Sequence, residues 1–126
     1  MRFCFDIDGV IAENKVGDLT YETLKPIPLA IGTLKMLRDN GHYIILATGR
    51  HMNTCNGNLG QVIAKQGKTL LDWLEKYEVP YDELHFGKPH YDLVIDDAAH
   101  RHTGWITTMD AISERIAKGP RTAENP

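Results

Sequence analysis

The stretch FDIDGV, residues 5–10, runs an apolar strand pattern straight into two acids one residue apart and a glycine. Acids are poor strand formers, and two carboxylates on one face of a strand repel each other. Side chains repeat every two residues along a strand, so Asp6 and Asp8 share a face for as long as the strand lasts. Two readings are open at this point. Asp-Gly favours a strand-end turn. Alternatively, the pair holds a hard cation such as Mg²⁺, which prefers oxygen ligands.

Working outward, Phe3, Phe5 and Ile7 alternate and predict a strand over residues 2–7. Residues 11–27 are polar and irregular, with room for a short hairpin or flap but not for a domain. Residues 28–40 predict a helix, with Leu29, Ile31, Leu34 and Leu37 near helical spacing and Gly41 as the stop. Residues 43–47 form a short apolar strand candidate that ends at Thr48-Gly49-Arg50. The Asn- and Gly-rich run HMNTCNGNLG, residues 51–60, predicts a loop. A mainly helical segment follows over 61–77, carrying Leu70, Leu71 and Leu74. Residues 84–86 predict a strand before Gly87-Lys88-Pro89, and residues 93–95 (LVI) predict another before Asp96-Asp97. A short helix around 109–117 and a loose tail over 118–126 complete the chain.

Strands alternating with helices give an α/β class with a mainly parallel sheet. The predicted strands finish at Asp6, Thr48, Gly87 and Asp96. In open parallel sheets, ligands bind at the carboxyl ends of the strands. The chain therefore lines its reactive groups along one edge of the sheet.

Bulk properties narrow the classes. The 126 residues suit a single domain, 1–126, with its own core. A formal net charge of −3, with Lys and Arg scattered, argues against a nucleic-acid or membrane partner. Cys4 and Cys55 form no C-x-x-C, which argues against a zinc knuckle or thioredoxin motif, and two free thiols suit a reducing compartment. No window has the length and apolarity of a signal peptide or a membrane span, so a cytoplasmic location is expected.

Taken singly, the remaining motifs stay open. Thr48-Gly49 either turns the chain or grips a phosphate oxygen. Lys88 is either a solvated charge or a fixed ammonium facing a phosphate or a carboxylate. Asp96-Asp97 either caps a helix or binds a cation. His100 and His102, near that pair, read as incidental rather than as a transition-metal site. Trp73 and Trp105 read as core or interface residues.

In order, Asp-x-Asp-Gly, a strand ending in Thr-Gly, a Lys and a strand ending in Asp-Asp resemble the haloacid dehalogenase (HAD) superfamily of phosphohydrolases over about the first hundred residues. The resemblance implies a HAD-like, Rossmann-like three-layer sandwich. It implies Asp6 as nucleophile and Asp8 as general acid and base, with Thr48 holding the phosphoryl oxygens and Lys88 orienting Asp6. It also implies a Mg²⁺ site from Asp6, the Asp8 carbonyl and Asp96, with Asp97 as an outer or water-mediated ligand. The physical logic is that an anionic nucleophile needs cations around it to approach an anionic phosphate. Val10 departs from the Thr often found after this motif and touches nothing catalytic.

Neither usual insertion point has room for a cap domain. This resembles the capless group and implies a homo-oligomer, possibly a tetramer, with residues 11–27 as a small flap. The segments TGRHMNTCNGNLG, HFGKP and IDDAAHR resemble small HAD proteins of capsule or surface-polysaccharide synthesis, which implies a sugar phosphate or similar small phosphate ester as substrate. Gly49, Arg50, His51 and Asn56 are the leading substrate-binding candidates, followed by Asn53, Thr54, Asn58 and Lys68; such side chains match sugar hydroxyls. The alternatives are a nucleotide or polynucleotide-end phosphatase, and a catalytically silent metal-binding assembly subunit.

Overall fold

A computed structural model describes residues 1–125. The described chain divides into two compact units. One is Arg2–His90, and the other holds Met1 and the segment from Tyr91 onward.

The first unit is built on three parallel strands, β1 (Arg2–Asp6), β2 (Tyr43–Thr48) and β3 (Glu83–Phe86), in the order β1-β2-β3. Helix α1 (Ala30–Asp39) links β1 to β2, and α2 (Leu59–Lys76) links β2 to β3. This is the expected α/β architecture with a parallel sheet and no cap domain. The central strand shows why it forms: Ile44, Leu46 and Thr48 are buried at period two, so one whole face of β2 enters the core. Phe5 and Ile7 from the β1 side, Leu34 and Leu37 of α1, and Val62, Leu70 and Leu74 of α2 are buried with it. The register sets Asp6 opposite Ala47 and Thr48 opposite Phe86, so all three strands end close to one level.

The segment between β1 and α1 is a closed loop rather than a hairpin. Ile27 N–H donates to the Ile11 carbonyl (2.8 Å), and Glu13 and Lys25 bond across the base. Just inside that base the loop is tied to α2, where the Trp73 indole N–H donates to the Leu24 carbonyl at 2.8 Å with both residues buried. Trp73→Phe removes that donor and leaves the carbonyl orphaned. Chemical denaturation of this variant should show a loss of about 1–2 kcal/mol.

The second unit contains α3 (Trp105–Lys118), which begins four residues before the expected 109. Ile106, Thr107 and Thr108 are β-branched and weak helix formers, which hides its first turn in the sequence. After Gly119 the chain folds back, and the Asn125 side-chain amide donates to the Lys118 carbonyl (2.8 Å); Pro126, the last residue of the expected tail, lies outside the described residues. The strand expected over 93–95 is absent. Leu93, Val94 and Ile95 are 73%, 51% and 91% exposed and carry no ladder. Three apolar residues have little strand preference of their own, because a strand is stabilised by the neighbours it pairs with.

Candidate functional site

The carboxyl ends of β1 and β2, with the turn after β3, gather most of the residues singled out in the sequence. Asp6 closes β1, and its Oδ1 accepts from the Ile7 N–H (2.9 Å) and lies 3.6 Å from Lys88 Nζ. Its carboxyl is pushed above the usual range, first by burial, while the Lys88 ammonium pulls the other way. Lys88 reaches this position because its N–H donates to the Thr48 carbonyl (3.0 Å), anchoring the β3 turn to the end of β2. Gly49 completes the junction: a side-chain carbon there would lie 3.1 Å from the Lys88 carbonyl oxygen, so any other residue would need that backbone to give by a few tenths of an ångström.

Beyond Asp6 the chain turns sharply. Ile11 and Ala12 N–H groups both donate to the Ile7 carbonyl, and Gly9 takes a φ of 83°. The turn places Asp8 against Arg50. The Arg50 Nε lies 2.9 Å from Asp8 Oδ2 and its Nη2 lies 2.8 Å from Asp8 Oδ1, a two-pronged ion pair. The Arg50 side chain is 0% exposed and the Asp8 side chain 26%. A third prong, Nη1, donates to Gln66 Oε1 at 3.0 Å, and the guanidinium carbon lies 4.3 Å from the centre of the Tyr21 ring. Arg50 is thus spent on Asp8, Gln66 and Tyr21. Within this unit Lys88 faces Asp6 and Arg50 faces Asp8, so each acid of the FDIDGV stretch has its own cation.

Thr48 is buried, and its hydroxyl oxygen accepts from the Arg50 N–H (3.1 Å). His51 has a φ of 62° and packs against the Tyr21 ring edge-on, with centroids 5.4 Å apart. Burial, then the Lys65 charge, holds its imidazole below the usual range. Asn56 lies in an exposed turn with a φ of 51°. Asn53 and Thr54 share that turn, whereas the Asn58 side chain caps α2 by accepting from the Gln61 N–H (3.1 Å). Lys68 is exposed and paired with Asp72 one helical turn on.

Asp96 and Asp97 belong to the second unit, and both are exposed there. Asp96 accepts from the Ala98 N–H (3.0 Å), which with Asp97 holds its carboxyl below the usual range. Asp97 pairs with Arg121 at 2.6 Å. His100 Nε2 and His102 Nδ1 both meet the Thr108 hydroxyl, at 3.0 and 2.7 Å.

Among the described residues, no three His, Cys, Asp or Glu side chains gather as a metal-holding group. Magnesium asks for less: one or two carboxylates, with water and substrate oxygens completing its shell. The half-exposed Asp6 carboxylate and the Asp8 backbone carbonyl are hard oxygen donors, so the first unit fits that ion in kind.

Gln66 and Tyr21 were not read as site residues in the sequence. For Gln66 a signal existed, since it occupies a position of the buried α2 stripe Val62, Gln66, Leu70, Trp73, where a polar side chain needs a buried partner. For Tyr21 there was none, because its loop shows no periodicity.

Comparison with solved structures finds an MCSG target from Vibrio cholerae at a TM-score of 0.73 and 28% identity, covering 90% of this chain and 97% of that one. A D,D-heptose 1.7-bisphosphate phosphatase from B. bronchiseptica, solved with magnesium and phosphate, shows a TM-score of 0.45 and 15% identity. That likeness covers 92% of this chain and 63% of the other. No family model and no curated protein matches the chain.

Proposed function

We propose that this protein is a Mg²⁺-dependent phosphomonoesterase of the HAD type, acting on a small sugar phosphate or related polar ester. The observation that carries the reading is the pairing of Asp6 with Lys88 at 3.6 Å, at the carboxyl ends of parallel strands beside Thr48. A carboxylate held there with an ammonium beside it is an anion equipped to meet another anion.

In this reading an Asp6 oxygen attacks the phosphorus, and the ester P–O bond breaks. The leaving oxygen takes a proton from the Asp8 carboxyl, and Asp6 carries the phosphoryl group as an acyl phosphate. A water then loses a proton to Asp8, attacks the phosphorus and frees inorganic phosphate, restoring Asp6. Arg50 fixes the direction of the Asp8 carboxyl: Oδ1 accepts from both Nη2 and Nε, while Oδ2 accepts from Nε alone and keeps a second lone pair for the proton. Thr48 supplies a hydroxyl donor and Lys88 a charge for the phosphoryl oxygens. The Asp6 carboxylate and the Asp8 carbonyl would hold Mg²⁺, whose contribution when bound is to neutralise charge between carboxylate and phosphate. The assignment of Asp96 and Asp97 as further ligands rests on the sequence resemblance alone. So do a role in surface-polysaccharide synthesis, a cytoplasmic location and a homo-oligomeric assembly; among the described residues, no helix is long and apolar enough to cross a membrane.

The test is phosphate release from a panel of sugar phosphates, nucleotides and phospho-amino alcohols, with Mg²⁺ and with EDTA. Release that needs Mg²⁺ and favours a sugar phosphate is the expected result. Release undiminished by EDTA removes the metal from the reading, and a preference for nucleotides moves the substrate class. Silence from folded protein returns the chain to a binding role.

A further inference from the structure

The hydrogen bonds around Gln66 have only one consistent polarity. Arg50 Nη1 can only donate, so the Gln66 atom facing it at 3.0 Å is the amide oxygen. The Gln66 nitrogen then faces His51 Nε2 at 3.2 Å, and that ring nitrogen must accept. A neutral imidazole has one proton, so it sits on Nδ1, which is 3.3 Å from the Thr54 hydroxyl oxygen. The Thr54 hydroxyl closes the chain by donating to the His51 carbonyl (3.4 Å). Every proton from Thr54 to Asp8 is thereby placed.

We infer that Gln66 is a positioning residue that reads the state of His51 and holds the Arg50 fork on the Asp8 carboxylate. With a proton on His51 Nε2, two donors face each other. Turning the amide over to relieve this sets its NH₂ against Arg50 Nη1. Unturned, the amide keeps Arg50 but is repelled by His51; turned, it costs Arg50 an acceptor, and the hold on Asp8 loosens. The groups around His51 favour the neutral ring: burial disfavours the charge, Lys65, Arg50 and Lys15 repel the proton, Tyr21 packs against one side, and Asp8 alone attracts it. The kinetic part of the inference rests on the proposed phosphatase reading, and the structural part rests on hydrogen-bond polarity alone.

The experiment pairs a long-range ¹H–¹⁵N spectrum of the histidine rings with steady-state kinetics, on the intact protein, Gln66→Leu and Gln66→Glu. His51 in the unsubstituted protein should carry its proton on Nδ1 at neutral pH. Gln66→Leu should lower kcat about tenfold with KM little changed, because the fork on Asp8 is no longer fixed. Gln66→Glu keeps an oxygen for Arg50, so it should recover most of kcat. It should also draw a proton onto His51 Nε2 and raise that imidazole's pKa. A proton on Nε2 of the unsubstituted protein overturns the inference, and so does an unchanged kcat in folded Gln66→Leu. Should Gln66→Leu fail to fold, the spectra of the other two proteins decide. Absence of turnover in the unsubstituted protein refutes the phosphatase reading, while its ring spectrum still decides the hydrogen-bond chain.

Discussion

Asp6→Asn is expected to abolish phosphate release, by roughly 10³-fold or more, in a protein that remains folded. The amide has the shape of the carboxyl but no nucleophilic oxygen, and the covalent step ends with it. Stability should move the other way. Burial lifts the Asp6 carboxyl above its ordinary value of 3.8, so the folded state holds that proton more tightly than the unfolded chain. Stability is then lost as pH rises from that value through the folded pKa, and at neutral pH the ionised group is a burden that Lys88 only partly relieves. The neutral amide removes the burden. The thermal midpoint of Asp6→Asn at pH 7 should equal or exceed that of the unsubstituted protein. Near-full turnover from the folded variant would end the aspartyl-phosphate mechanism.

Arg50→Met should have the largest effect on stability, about 2–4 kcal/mol, lowering the thermal midpoint by roughly 10 °C. The substitution leaves the Asp8 carboxylate and the buried Gln66 oxygen without the donors they now share. The cost should fall short of a fully buried pair because Asp8 retains a quarter of its exposure, and water can solvate one side of it. Arg50→Lys should not restore the loss, since one ammonium cannot reproduce a planar fork that bonds two carboxylate oxygens and an amide together. A change below about 1 kcal/mol in Arg50→Met would show that the pair contributes no more than a surface ion pair.

The sequence made much of this legible, for physical reasons. Alternation in Phe3, Phe5 and Ile7 and the apolar run before Thr48 report burial directly, because β1 and β2 have a face in the core. Helices α1 and α2 follow from spacing. The 93–95 run misled because it is as apolar as β2, and composition says nothing about whether a ladder partner is present. Arg50 was found, but not its destination. A guanidinium after a Thr-Gly turn can face a substrate or an acid of its own chain, and that choice depends on how sharply residues 7–12 turn. Gln66 was missed because one polar residue in an apolar stripe looks like noise until its partner 16 residues earlier is known.

The Trp73 bond to Leu24 has a further consequence. With the Glu22–Thr69 contact at 3.3 Å it ties the loop between β1 and α1 to α2 at two points, and the Tyr21 ring over Arg50 ties it to the chain just after β2 at a third. Loops ordinarily exchange their amide hydrogens by local fraying, at little free-energy cost. Here the buried part of the loop should open only when α2 opens, so native-state hydrogen exchange is expected to show the two as one cooperative block.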